Sequence, residues 1–246
     1  MNALKIMILL NNYFKYLLKK VQSNMEQITI ICTSLAMAIS IFAFVHGAVR
    51  LLKKGKPLYC QIIMWAVGCY CLQGIEDCVV YICGDFSDTG IVGQIAMCGF
   101  VFALLSANYG TIDNIVDDRS QNNEKYRRLA LIAPIAYGIA SFFAVAHIFP
   151  IDNFVACIYG IPFLAMTAAS YFNLKHLLLP KDELGILACT RMINIICLIF
   201  YAFAMLLIIV YGRVSDTISN ILNVIMSVLV LALTLAAEKG EKTWPI

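Results

Sequence analysis

Gly185-Ile-Leu-Ala-Cys-Thr-Arg-Met-Ile-Asn-Ile-Ile-Cys-Leu-Ile-Phe-Tyr-Ala-Phe-Ala-Met-Leu-Leu-Ile-Ile-Val-Tyr211 carries a single charged side chain, Arg191. Wound as an α-helix at 1.5 Å per residue, it is about 40 Å long, more than the roughly 30 Å of hydrocarbon in a bilayer. Its apolar residues run on without alternating, which argues against the ten-residue alternating strands of a transmembrane barrel. Runs of the same kind recur at 28–50, 58–83, 91–112, 129–149, 153–173 and 217–237. The chain has 246 residues, 61% hydrophobic and 13% charged. A soluble domain carries roughly 45–50% apolar and about 25% charged residues. Seven spans with short loops use up nearly the whole length. The sequence therefore predicts an all-α, polytopic membrane protein: a bundle of about seven transmembrane helices over residues 27–238, then a tail at 239–246. Pro134 and Pro162 fall inside spans, where a proline kinks a helix without ending it.

Orientation follows from the basic residues. Arg50, Lys53, Lys54 and Lys56 follow span one, and Arg119, Lys125, Arg127 and Arg128 follow span three. Lys175 and Lys181 follow span five, and Lys239 and Lys242 lie in the tail; against these twelve, the opposite loops hold only Arg213. Positive charge marks the cytoplasmic side, so the reading is N-terminus out, C-terminus in, in the cytoplasmic membrane of a bacterium. The net charge of +3 comes from these loops and does not point to nucleic acid. Residues 1–26 depart from the pattern, with Lys5, Lys15, Lys19 and Lys20 on the outer side. They read as an amphipathic helix in the outer interface. An eighth span, or a natural start at Met25, are the competing readings. A signal peptide fits poorly, because the apolar stretch Ile6–Leu10 is short and is followed by more lysines.

Ionisable residues inside spans cost several kcal/mol when unpaired, so each marks a candidate site. Glu76 and Asp77 lie about 27 Å up span two, near its outer end. Asp152 and Asn153, which open span five, and Asn220 and Asn223, three apart on one face of span seven, share that depth. Glu76, Asp77, Asn153, Asn220 and Asn223 are thus predicted to form an outward-facing polar pocket for a small molecule. Toward the cytoplasmic side, Arg191 and Asn194 share a face of span six. Their candidate partners are Asp113 and Asn108 on span three and His46 on span one, with an Arg191–Asp113 pair as clasp or switch. His147 and His176 read as loop residues, and no histidine spacing suggests a metal site. The acid-rich stretch Ser106–Ser120 reads as a solvated loop; a magnesium site there is the weaker alternative. The cysteines sit mostly in apolar runs as small hydrophobes, and only Cys78 and Cys83 are placed to oxidise.

No nucleotide-binding, zinc-protease or nucleophile-elbow motif is present, and span seven has no lysine for a Schiff base. No cofactor is expected. The topology resembles the seven-helix input modules of bacterial signalling proteins, a likeness of topology alone. The expected function is a sensory or receptor-like module that acts through a cytoplasmic or membrane partner. A small-solute transporter or channel is the alternative, and an intramembrane enzyme a weaker one.

Overall fold

The computed structural model describes residues 3–83, 90–113, 123–150, 153–180, 185–210 and 216–244, and it is helical nearly throughout. Helix α1 spans Ala3–Leu51 and α2 Leu58–Cys83; α3 spans Gly90–Ser106 and runs on through a π turn, Ala107–Ile112. Then come α4 (Glu124–Ala130), α5 (Ile132–Ile148), α6 (Asn153–Leu178), α7 (Ile186–Val210) and α8 (Asp216–Lys242). Seven stretches are long and apolar enough to cross a membrane: Gln27–Leu51, Leu58–Val80, Val92–Ile112, Glu124–His147, Ala156–Leu178, Ile186–Val210 and Thr217–Lys242. No strand occurs among the described residues. The stretch 185–211 that opened the sequence reading is α7, and the window 58–83 is α2.

Turn chemistry places the helix ends. Gly55 follows α1 with φ +88°, and Gly185 precedes α7 with φ +74°, both in the left-handed region where a Cβ is costly. Pro57 then opens α2, its carbonyl accepting from the Cys60 amide.

Six helices close a ring in the order α1, α2, α3, α6, α7, α8, each packed on the next and α8 returning to α1. The span made of α4 and α5 stands outside it, with α5 against α6 and α7. Packing is close where α8 meets α7 and α2. A Cβ on Gly240 would lie 2.6 Å from the Cys189 carbonyl oxygen and 2.8 Å from the Tyr59 hydroxyl. The distribution of polarity is the inverse of a soluble protein's. Leu164, Phe142, Trp65 and Ile95 face outward, whereas Ser40, Asn108, Asn173, Thr190, Asn194 and Thr234 are buried.

Two expectations change. Helix α6 continues five residues beyond the predicted end at 173, so Lys175 and His176 are buried helix residues and not part of a loop. His147 likewise lies within α5. Ser106–Asp113 continues helix α3 through the π turn, while 114–122 lie outside the described residues. Cys78 is a free, buried thiol, and the Cys83 side chain is outside the described set.

Candidate functional site

A cavity of about 420 Å³ lies within the ring, and all six ring helices contribute to its wall. Each does so for a local reason. On α2, Tyr70, Gln73 and Asp77 recur at three- and four-residue steps and so share one face. On α8, Asn220, Asn223 and Ser227 repeat the same steps. Pro162 of α6 also lines it, and its missing amide leaves the Ile158 carbonyl without the usual helical partner.

The polar groups of the wall are tied largely to one another. Asn220 Nδ2 donates to Thr29 Oγ1 at 2.7 Å, joining α8 to α1. Gln94 Nε2 donates to the Tyr159 hydroxyl at 2.7 Å, joining α3 to α6. Tyr70 and Ser227 share a hydrogen bond of 3.3 Å, and the Ser227 hydroxyl also approaches the Asn223 carbonyl at 3.1 Å. Gln73 Oε1 and Gln94 Oε1, by contrast, have no partner among the described residues.

An aromatic layer floors the cavity. Tyr70, which lines it, stacks near Phe100 and Phe200 at ring separations of 5.4 and 5.8 Å, and those two lie 4.8 Å apart. Tyr201 extends the layer toward Tyr137 at 6.2 Å. Phe100, Phe200 and Tyr201 are buried, and the layer separates the cavity from a second polar region nearer the basic loops.

That second region is built on the π turn. In an α-helix, five residues carry a side chain through about 500°, leaving Asn108 and Asp113 about 140° apart. The π turn bonds the Asp113 amide to the Asn108 carbonyl, a wider i→i+5 loop, and brings both side chains to the same neighbour on α6. His176 Nδ1 lies 3.2 Å from Asn108 Oδ1, and its Nε2 lies 3.1 Å from Asp113 Oδ1. Asp113 is also bonded by Lys175, and Asn108 Nδ2 donates to Asn173 Oδ1 at 2.6 Å. Burial draws the Asp113 carboxyl upward, but the bonds from His176 and Lys175 and their charge outweigh it and hold the carboxyl below its usual value.

A third cluster ties the end of α8 to its neighbours. Glu238 accepts from Arg50, approaches His46 Nε2 at 3.1 Å, and accepts from Lys242 at 2.9 Å. Lys56 pairs with Glu241 at 2.6 Å.

Of the predicted pocket residues, Asp77, Asn220 and Asn223 line one cavity. Glu76 does not. Its carboxylate fills the notch left by Gly93 on α3, so closely that a Cβ there would collide with it. The Asn153 side chain and Asp152 lie outside the described residues. At the other end, Asp113 and Asn108 do meet, but on α6. Arg191 is exposed on the outer face of α7, because Asp113 is engaged by Lys175 and His176 instead. Asn194 is buried with neither amide atom partnered among the described residues, and His46 belongs to the Glu238 cluster. Sequence reasoning missed Gln73, Gln94, Tyr70 and Tyr159, uncharged residues that an apolar window hides. It also missed Asn173 and His176, whose spacing of three was the available signal, and Glu238, an acid at the end of an otherwise apolar span. Among the described residues, no three His, Cys, Asp or Glu side chains converge as a metal site.

No protein-family model matches the chain, and neither a curated protein nor a solved structure matches it.

Proposed function

We propose that this chain is a membrane-embedded, receptor-like seven-helix module, N-terminus outside and C-terminus inside, that takes a small molecule in the ring cavity and acts through a partner at its basic end. The observation that carries this reading is the cavity's construction: six helices wall it and aromatic rings floor it. A ligand touching six helices can favour one arrangement of the ring over another, which is all a receptor requires. The basic loops supply a positively charged face for a cytoplasmic or membrane-bound partner.

Transport is the second reading, favoured by the ionisable groups beyond the aromatic layer: Asp113, Lys175 and His176 would be an inner station to Asp77's outer one. The two readings part in proteoliposomes holding the purified protein. A receptor shows no protein-dependent flux of small amines, alcohols or carboxylates, while one of these classes raises its thermal stability. That stabilisation disappears when Ala204→Trp fills the cavity wall. Flux that Asp77→Asn or His176→Ala abolishes would establish transport instead.

A further inference from the structure

The charge of the described cavity lining is one-sided. Asp77 is the only ionisable carboxylate or base in the described lining, and no hydrogen bond or ion pair to it occurs among the described residues. Among the described residues of the six ring helices, no lysine, arginine or histidine lines the cavity. Of the four side-chain amides in the lining, Asn220 donates its Nδ2 to Thr29 and Gln94 its Nε2 to Tyr159. Acceptors are left over: the Asp77 carboxylate, Gln73 Oε1 and Gln94 Oε1. Much of the remaining wall is apolar and polarizable. Met97, Met166 and Met226 come from three different helices, with Phe163 between Tyr159 and Met166.

We infer that the cavity's ligand is a small organic cation, a primary or secondary ammonium on an apolar body, held by Asp77 at its charged end. This rests on the reading of the cavity as a ligand site. An ammonium brings donors for Gln73 Oε1 and Gln94 Oε1 and the opposite charge for Asp77. A carboxylate ligand would meet the Asp77 charge and find no free cation, and a neutral alcohol would leave the carboxylate without a counter-charge. Asp77 is exposed where it lines the cavity, open to an opposite charge that enters there. Aromatic rings favour a cation over their faces, and thioethers pack against an irregular apolar body. A bare divalent ion fits poorly, since calcium seeks six to eight oxygens and half of this wall is carbon and sulfur. The volume lies within the roughly 300–1,000 Å³ of small-molecule pockets.

The test uses the full-length protein in nanodiscs and a series of alkyl and aryl primary amines of graded size. Each is paired with its isosteric alcohol and carboxylate, and sodium and calcium chloride are run alone. Binding is read by calorimetry and thermal unfolding. The expected result is amine binding that exceeds the alcohol's at least tenfold, is lost in Met226→Trp and falls at least tenfold in Asp77→Asn. If Asp77→Asn does not fold, Gln73→Leu carries the same test, with a several-fold loss. Alcohols or carboxylates that bind as well as amines, and are lost in Met226→Trp, overturn the inference and leave the receptor reading standing. So does stabilisation by sodium or calcium alone, or amine binding that Asp77→Asn does not weaken. If no probe of any charge binds, the inference and the receptor reading fail together.

Discussion

Asp113 lies at the edge of the bundle, its side chain 19% exposed, whereas the Lys175 side chain that pairs with it is 3% exposed. Removing the carboxylate takes away a counter-charge from a cation with little water around it. Such losses cost about 2–5 kcal/mol, far more than an exposed pair contributes. Asp113→Asn should therefore lower stability by that amount at neutral pH. The sign of the pH dependence follows from the lowered carboxyl. Its folded-state value lies below its usual 3.8, so its contribution is complete above that value and fades as pH falls through the lowered one. Thermal unfolding across acid pH should show this fading in the wild type and not in Asp113→Asn. Equal stability of the two proteins at neutral pH would remove the pair from any structural role. Asn194 makes the opposite case. Both its amide atoms are buried on α7 without partners among the described residues. Asn194→Leu, nearly equal in size, should raise stability by about 1–3 kcal/mol. A fall in melting temperature would mean that the amide holds a group of its own.

At the scale of elements, the π turn is what allows α3 to grip α6. Its extra residue sets Asn108 and Asp113 against the two nitrogens of one imidazole. Deleting Gly110 should remove the extra residue, return the segment to an ordinary α-helix and leave Asn108 and Asp113 four apart, about 40° from one another and still on the face toward α6. The same glycine tolerates a methyl group, since a Cβ there meets only Ser106 Oγ at 3.5 Å. The deletion should thus keep amide protection along α6 and unfold close to the wild type, as should Gly110→Ala. A clearly lower melting temperature for the deletion alone would show that shared facing of Asn108 and Asp113 is not what the turn provides. Elements were unevenly legible in the sequence. Apolar length is a property of composition, so the windows fall within a few residues of most helices. The end of α6 was misjudged because Lys175 and His176 look like loop residues until Asp113 supplies their partner. A π turn has no compositional signature, and with α-helical spacing alone Asn108 and Asp113 seem to face different ways.

Across the whole molecule, the outer pocket was legible wherever charge or depth marked it, as at Asp77, Asn220 and Asn223. Arg191 was misassigned because a single polar residue does not reveal which way its face of the helix points. Orientation is a property of the whole chain in the same sense. Moving Lys175 from a loop into the last turn of α6 leaves it at the end read as cytoplasmic. The links Arg50–Glu238, Lys56–Glu241 and Tyr59–Trp244 gather the ends of α1, α2 and α8 at one end of the ring. An even bias toward one end sets topology through the cost of carrying lysine and arginine across the bilayer, and one misplaced residue does not reverse it. The native lysines can test this without engineering. On intact cells, a membrane-impermeant amine reagent followed by peptide mass spectrometry should modify Lys15, Lys19 and Lys20. Lys53, Lys54, Lys125 and Lys239, all exposed in the fold, should react only after permeabilisation. The reverse pattern would place the cavity on the cytoplasmic side, and the ligand would then have to be sought among intracellular amines. Protection of both groups on intact cells, with full reaction after permeabilisation, would make residues 1–24 themselves an eighth crossing, with their lysines away from the outer water.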